Sequence, residues 1–303
     1  MANRKPNKRA PLKKKVKYKA LVRALEILQM LAADAAGLSV STISRHAKLA
    51  KSATHRLLST LVDEGYAGQD PISERYHLTL RLPALGFRYL GISGLTDVVQ
   101  PILDRLAEQT GELVQFGLVE GGRLIWVTWA QGSRAPLRYV PVLGREIILY
   151  TTGSGAVWLA SMSDKEALRI VRAQGFIRGP TPGYGRNAVR NDAEFLAKLH
   201  QVRRDGYGFN LEEGEPGINA IAVPVKGDLK PDSPVVAPIA IAGPSIRVTK
   251  AKLLDALPGL RAAAQEMTEV WPMRRQLDAA QGNIDGATKR RIARPTTPKA
   301  KKA

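Results

Sequence analysis

"KSATHRLLSTLVDEGY", residues 51–66, reads as a helix with two unlike sides. At 100° per residue, Thr54, Leu57, Leu58 and Leu61 share one side. Ser52, His55, Arg56 and Ser59 share the other, and Lys51 opens the stretch. The leucine side is built for burial. The polar side carries groups that meet DNA: Arg takes guanine edges or phosphate, and Ser and His take either. Backbone N–H groups near Ser52, in the first turn, favour anions. On an isolated helix such a face is usually just solvated, so the neighbouring segments decide its meaning.

Upstream, Leu21, Leu25, Leu28 and Leu31 repeat at helical spacing, and Gly37 lies past the end. Ser39 is placed to cap a second helix over about 40–47, with Ile43 and Ala47 inward. "KLAK" is a short turn, and the third helix stops at Gly65. Three short helices with a tight turn between the second and third follow the helix-turn-helix pattern. Downstream, "YAGQDPISERYHLTL" alternates and is broken at Asp70-Pro71, which predicts a β-hairpin with its tip near 70–75. A hairpin directly after the third helix is the wing of a winged helix-turn-helix. It brings Arg75 to the group of candidate DNA contacts, beside Lys51, Ser52, His55, Arg56 and Ser59.

The rest of the chain reads as a second unit. Residues 1–19 form a basic tail, 20–80 the winged helix-turn-helix, 81–95 a linker helix, 96–272 a second domain and 273–303 another basic tail. Helices are expected at 97–109, 152–160, 164–174, 192–205 and about 250–270, the last ending near Pro272. "LVQFGLVEGGRLIWVTWA" predicts two strands joined at Gly121-Gly122. "PLRYVPV", "INAIAVPV" and "VVAPIAIAGP" predict further strands, Pro238 marking the last as an edge strand or a bulged one. Strands and helices do not alternate strictly. The expected fold class is therefore α+β with an antiparallel sheet.

Composition sets bounds on function. The chain of 303 residues has a formal charge of +19 and no cysteine, which excludes disulfides, thiolate catalysis and Cys-based zinc sites. The charge is concentrated at the ends. Residues 1–19 hold nine basic and no acidic residues, and residues 273–303 hold nine basic and two acidic ones. Such ends are expected to be disordered. They serve either as solubilising tails or as polycations that grip phosphates without reading bases. No run of about 18 apolar residues predicts a membrane span, and no apolar segment of the signal-peptide kind follows the basic start. A cytoplasmic address is expected.

Residues 20–79 resemble the winged helix-turn-helix of the IclR-type bacterial transcription regulators. The shared features are Ser52, His55-Arg56-Leu57-Leu58, Asp70-Pro71, Arg75-Tyr76 and Leu78. The likeness continues through "TGSGAVWLASM", "GYGFNLEEGEPGINAIAVPV" and "IAIAGPSIRVT", and covers about residues 19–272. It implies a GAF-like C-terminal domain that binds a small organic-acid effector. It also implies a homodimer or dimer of dimers acting on double-stranded DNA at a pseudo-palindromic operator. The implied pocket lies between the Thr151–Gly155 turn and the last two strands.

The chain departs from that pattern at several points. Positions where members that bind small carboxylates carry hydroxyl or thiol groups are here Ala220, Ala240 and Ala242, with Asn210 before Glu212-Glu213. Gly153, Ser154 and Gly155 offer backbone N–H groups, Thr151, Thr152 and Ser154 offer hydroxyls, and Trp126, Trp129, Tyr139 and Tyr150 supply aromatic area nearby in sequence. This combination points to an aromatic or hydrophobic organic acid, unless the aromatics are simply core. On the second helix, Thr42 stands where Glu would complete a capping box with Ser39, and Lys48 stands where Gly is common in the turn.

No enzyme signature survives inspection. None of the four histidines shows H-x-x-x-H spacing, "GSGAVW" lacks the third glycine of a dinucleotide fingerprint, and Ser154 is not in a nucleophile elbow. No cofactor is expected. The alternative to a site-specific regulator is a protein that coats DNA through its basic ends; a small-molecule enzyme ranks below both.

Overall fold

The computed structural model describes residues 18–92, 95–141, 147–176 and 184–292, with side chains to Trp271 apart from Leu90, Ile92 and Thr96. The expectations for the basic ends fall largely outside it, at residues 1–17 and 293–303. The chain forms two compact units that divide between Tyr89 and Leu90.

In the first unit, helices α1 (Lys19–Ala32), α2 (Val40–Ala47) and α3 (Lys51–Asp63) precede strands β1 (Ala67–Gln69) and β2 (Tyr76–Leu78). Its core is Ile27, Leu31, Ile43, Leu58, Leu61, Ala67 and Tyr76. Each large aliphatic there contributes roughly 1.5–3 kcal/mol by leaving water. Ser39 caps α2, accepting the Thr42 N–H at 3.2 Å, and its hydroxyl also pairs with the Thr42 hydroxyl at 3.0 Å. The hydroxyl pair stands where a capping-box glutamate would reach back. Lys48 ends α2 in the left-handed region at φ 52°, a conformation glycine adopts with less strain.

The wing is the β1–β2 hairpin, with Ala67, Gly68 and Gln69 opposite Leu78, His77 and Tyr76. Leu38 adds a bridge, exchanging two 2.9 Å backbone bonds with Tyr76. Gly37 makes this approach possible, because a Cβ there would lie 2.8 Å from the Tyr76 carbonyl oxygen. Asp70 ties the hairpin tip. It accepts from the Ser73 N–H at 2.7 Å, the Ser73 hydroxyl at 2.8 Å and the Ile72 N–H at 3.1 Å. These bonds, led by that of the Ser73 backbone, hold its carboxyl below the usual aspartate range.

Helix α4 (Arg81–Ile92) leads to the second unit, which opens with α5 (Leu95–Thr110). A five-stranded antiparallel sheet follows, in the order β4-β3-β7-β6-β5. Its strands are β3 (Leu113–Glu120), β4 (Arg123–Gln131), β5 (Gly208–Leu211), β6 (Ile218–Lys226) and β7 (Val235–Pro244). One face buries Val114, Phe116, Ile221, Ile239 and Ile241 in a core shared with residues of α5 and of α9 (Lys250–Ile292). The other face meets α6 (Gly153–Leu159), while α7 (Asp164–Gln174) and α8 (Asp192–Asp205) contribute Ala167, Val171, Phe195 and Leu199 to a second core.

Four expectations need correction. "PLRYVPV" forms no strand; its described residues are irregular. Strand β5 was not anticipated, because its four residues sit between glycine-rich and acidic turns. Pro238 lies on the interior strand β7, so of its two expected settings the edge fails, while the strand is bulged beside it, Ala237 pairing with Val225 and Val235 with Lys226. It faces Pro224 across β6, and the β3–β7 ladder stops one residue earlier, at Phe116 opposite Ile239. The proline thus occupies a place where no neighbour requires its missing N–H. The last helix runs on past Pro272 to Ile292. An interior proline removes one hydrogen bond and bends a helix, and the helix-forming residues beyond it, Arg274, Arg275, Gln276 and Leu277, allow the backbone to continue.

Candidate functional site

Two surfaces carry the chemistry, one in each unit. On α3, Thr54 and Leu58 are fully buried and Leu61 nearly so. Lys51, Ser52, His55, Arg56 and Ser59 are all exposed. The helix start has no acidic residue in its first turn, and its N-cap, Ala50, brings no side-chain bond to the first amides. Those N–H groups stay open beside Lys51 and Ser52. Arg75 is also exposed and reaches the Gly37 carbonyl at 3.3 Å. That bond ties Arg75 to the turn before α2. The arrangement is a convex, cationic rim that can bind phosphates and base edges together.

The second surface is a cavity of about 160 Å³ on the sheet face opposite α5 and α9. Register builds its floor. Ala240 and Ala242 of β7 lie directly opposite Ala222 and Ala220 of β6, making a patch of four methyl groups. Gln115 flanks Ala240 from β3, and Asn210 flanks Ala220 from β5. Trp126, Tyr139, Val140, Ile148 and Tyr184 form walls, and Thr151, Thr152, Gly153 and Ser154 close the cavity at the start of α6.

Close packing explains the small residues of that segment. A Cβ on Gly153 would fall 2.3 Å from the Gly208 carbonyl oxygen, and one on Gly155 2.2 Å from that of Leu149. Glycine lets α6 rest directly on β5 and on the single 3₁₀ turn Leu149–Thr151.

The polar groups of the cavity divide into used and unused. Thr152 donates to the Ile148 carbonyl at 3.2 Å and accepts the Gly155 N–H at 3.1 Å. Thr151 donates to the same carbonyl at 3.3 Å. Asn210 Oδ1 accepts the N–H groups of Glu213 at 2.9 Å and Gly214 at 3.2 Å. The Asn210 Nδ2 and Ser154 hydroxyl make no hydrogen bond to any described residue. Gln115 is only 4% exposed, and its Nε2 is sealed off without a partner. A buried amide left so costs roughly 1–3 kcal/mol. Behind Asn210, burial pushes the Glu213 carboxyl up, against the pull of its ion pair with Lys198.

Of the residues expected to bind an effector, Thr151, Gly153, Ser154, Asn210, Ala220, Ala240 and Ala242 do line the cavity. Trp129, Tyr150 and Gly155 do not. A bulge in the β3–β4 pairing puts Trp126 opposite Gly117 and Trp129 opposite Gln115, so both face the cavity side although three residues apart. Trp126 reaches the wall and Trp129 does not. Tyr150 is 2% exposed in the helical core, its ring 5.0 Å from that of Phe176. Gly155 is packed against Leu149 and its N–H is taken by Thr152. Trp126 and Tyr139, expected as aromatic area, form walls, whereas Gln115, Tyr184 and Ala222 were missing from the expected set. Ala222 was within reach of sequence reasoning, because Ala220-Ile221-Ala222 and Ala240-Ile241-Ala242 carry the same strand alternation.

Among the described residues, no helix is long and apolar enough to cross a membrane. Residues 20–71 match the IclR helix-turn-helix domain, and residues 87–269 match the C-terminal domain of the bacterial transcriptional regulator IclR. The HTH-type transcriptional regulator BhcR of Paracoccus denitrificans is 29% identical over 250 residues, which is 82% of this chain and 86% of that one. The regulator KdgR of Escherichia coli is 28% identical over 249 residues, covering 82% and 91%. An IclR transcriptional regulator from Alicyclobacillus acidocaldarius has the same fold, with a TM-score of 0.71 at 22% identity over 84% of this chain and 99% of that one. With both units matched in order, the chain belongs to the IclR family of bacterial transcription regulators.

Proposed function

We propose that the chain is a sequence-specific DNA-binding regulator. Its α3 enters the major groove, and an aromatic or hydrophobic organic acid in the alanine-floored cavity modulates binding. The observation that carries the DNA reading is the exposed rim Lys51, Ser52, His55, Arg56 and Ser59 on a helix whose opposite side, Thr54, Leu58 and Leu61, is buried. In a winged helix-turn-helix that rim leads into the groove, and Arg75 on the wing takes the adjacent backbone. Apolar side chains left exposed on α1 (Leu21, Leu25) and α4 (Leu85, Phe87, Tyr89) support self-association, hence a two-fold operator. The basic ends would add phosphate contacts that do not depend on sequence.

For the effector, support comes from the methyl floor, the aromatic walls and the unused donors of Ser154 and Asn210. Sites for small ligands are mostly apolar with a few placed polar groups. A solved IclR homologue from Microbacterium hydrocarbonoxydans, 21% identical to this chain, is complexed with 4-hydroxybenzoate. The mechanism is a population shift: an effector that binds one arrangement of the paired DNA-binding units better than another changes their fit to the half-sites.

Footprinting on the DNA flanking the chain's own gene, with and without benzoate, 4-hydroxybenzoate and pyruvate, tests both parts. The expected result is a protected pseudo-palindrome whose occupancy changes with the aromatic acids. Equal protection of every duplex would favour the DNA-coating alternative, and a response to pyruvate alone would remove the aromatic reading.

A further inference from the structure

The cavity has polar groups at two opposite ends and nothing polar on the floor between them. One row across the sheet runs Gln115, Ala240, Ala222, Gly208; the neighbouring row runs Leu113, Ala242, Ala220, Asn210. Ser154 joins Asn210 at the β5 end, since Gly153 rests on Gly208. Gln115 is the polar residue of the floor rows at the β3 end. The two ends lie three strand steps apart, about 14 Å between backbones. Side chains reaching inward shorten that span to the length of a flat ring with a substituent at each end.

Gln115 is the informative residue. Its amide is buried, it lines the cavity, and its Nε2 has no partner in the protein. The Nε2 is closed off as the amide stands, but neither end of the amide pairs with a described residue, so the group that faces the cavity is left for an occupant to pair. An amide offers a donor and an acceptor side by side, and turning it over exchanges their places. A hydroxyl matches it, because a hydroxyl both donates and accepts. The acid group then belongs at the far end, where the Ser154 hydroxyl and Asn210 Nδ2 both donate.

We propose that Gln115 is a specificity-determining residue that reads a second polar group opposite the acid. The effector is accordingly a flat ring with a carboxylate at one end and a hydroxyl at the other. This rests on the aromatic-acid reading above and narrows it. A ring without the far hydroxyl leaves the Gln115 amide buried and unpaired, and the site discriminates against it for that reason.

Calorimetric titration of the full chain with benzoate and 4-hydroxybenzoate, in the wild type and in Gln115→Leu, tests the proposal. The wild type should bind 4-hydroxybenzoate at least about tenfold more tightly than benzoate, the equivalent of one charge-free hydrogen bond. Gln115→Leu should reduce that ratio to about one while melting no earlier than the wild type, since it removes an unpaired buried amide. Asn210→Leu should weaken both acids together. Equal affinity of the wild type for the two acids, or a ratio unchanged in Gln115→Leu, overturns the two-ended reading and leaves the aromatic-acid reading standing. Binding of pyruvate with neither aromatic acid, or of none of the three, overturns both.

Discussion

The two sites are built on opposite plans. The α3 rim is convex and consists of polar side chains projecting from one helix into solvent. The cavity of the second unit is concave and owes its shape to side chains that are small or absent: four alanines on the floor and two glycines at the α6 end. In the first, each side chain is free of the core and the fold does not depend on it. In the second, the packing of the fold defines the empty space, and a single added methyl group on backbone of that kind has nowhere to go. Function and stability should therefore separate under mutation on α3 and stay joined around α6.

The largest expected effect is on the cavity side. Gly155→Ala places a Cβ against the backbone of Leu149, so neither partner is a flexible side-chain tip. Chemical denaturation should show a loss of about 3 kcal/mol or more. A loss under 0.5 kcal/mol would mean that the α6 contact is loose. Arg56→Ala supplies the contrast. Specific DNA affinity should fall by roughly 1–3 kcal/mol, with relaxed sequence preference and an unchanged melting temperature. A variant that melts early but still reads its operator would reverse the comparison. A smaller effect is expected on the turn that presents α3. Ser39→Ala removes the cap of α2 and should cost about 1 kcal/mol of stability, with DNA binding reduced only as far as folding is.

The last prediction concerns pH. Glu112, buried at the start of β3, receives two bonds of 2.9 Å from Arg247 and one of 2.9 Å from Lys252. Burial works to raise its pKa, but the bonds from Arg247 and Lys252 outweigh it, and the carboxyl titrates below the usual glutamate range. A depressed folded pKa gives stability that is present above the unfolded value and lost as pH falls through the folded one. Acid should therefore destabilise the wild type below the ordinary glutamate pKa, and Glu112→Gln should flatten that limb of the stability curve. The α3 rim carries no such buried carboxylate, so its helix should be insensitive over the same range.

The contrast also explains what could be read in advance. Helix α3 shows its two sides within thirteen consecutive residues, and Thr54, Leu58 and Leu61 went to the core as their spacing required. The cavity draws on five strands, and pairing between distant segments is not written in any local period. Nothing local separates Trp126 from Trp129: the bulge opposite Phe116 and Gly117 puts both on the cavity side, and only Trp126 reaches the wall. Tyr150 sits next to Thr151 in sequence, yet the 3₁₀ turn sends it into the core beside Phe176. Gln115 gave no sign in sequence, since a lone glutamine in a strand is ordinary until its neighbours turn out to be alanines. Pro272 was given the force of a stop signal where the backbone only had one bond fewer to make.

The two Ala-Ile-Ala triplets carry a consequence for how such a receptor can change its guest. Ile221 and Ile241 face one another in the core beneath α5 and α9, while the alanines on either side of each turn the other way. Structural duty and recognition are thus interleaved residue by residue along the same strands. Exchange of any of the four methyls for a hydroxyl, a thiol or a longer branch would change the lining of the cavity, while the isoleucines keep the scaffold in place. Such a layout lets the cavity be reshaped without first having to rebuild the core beneath it.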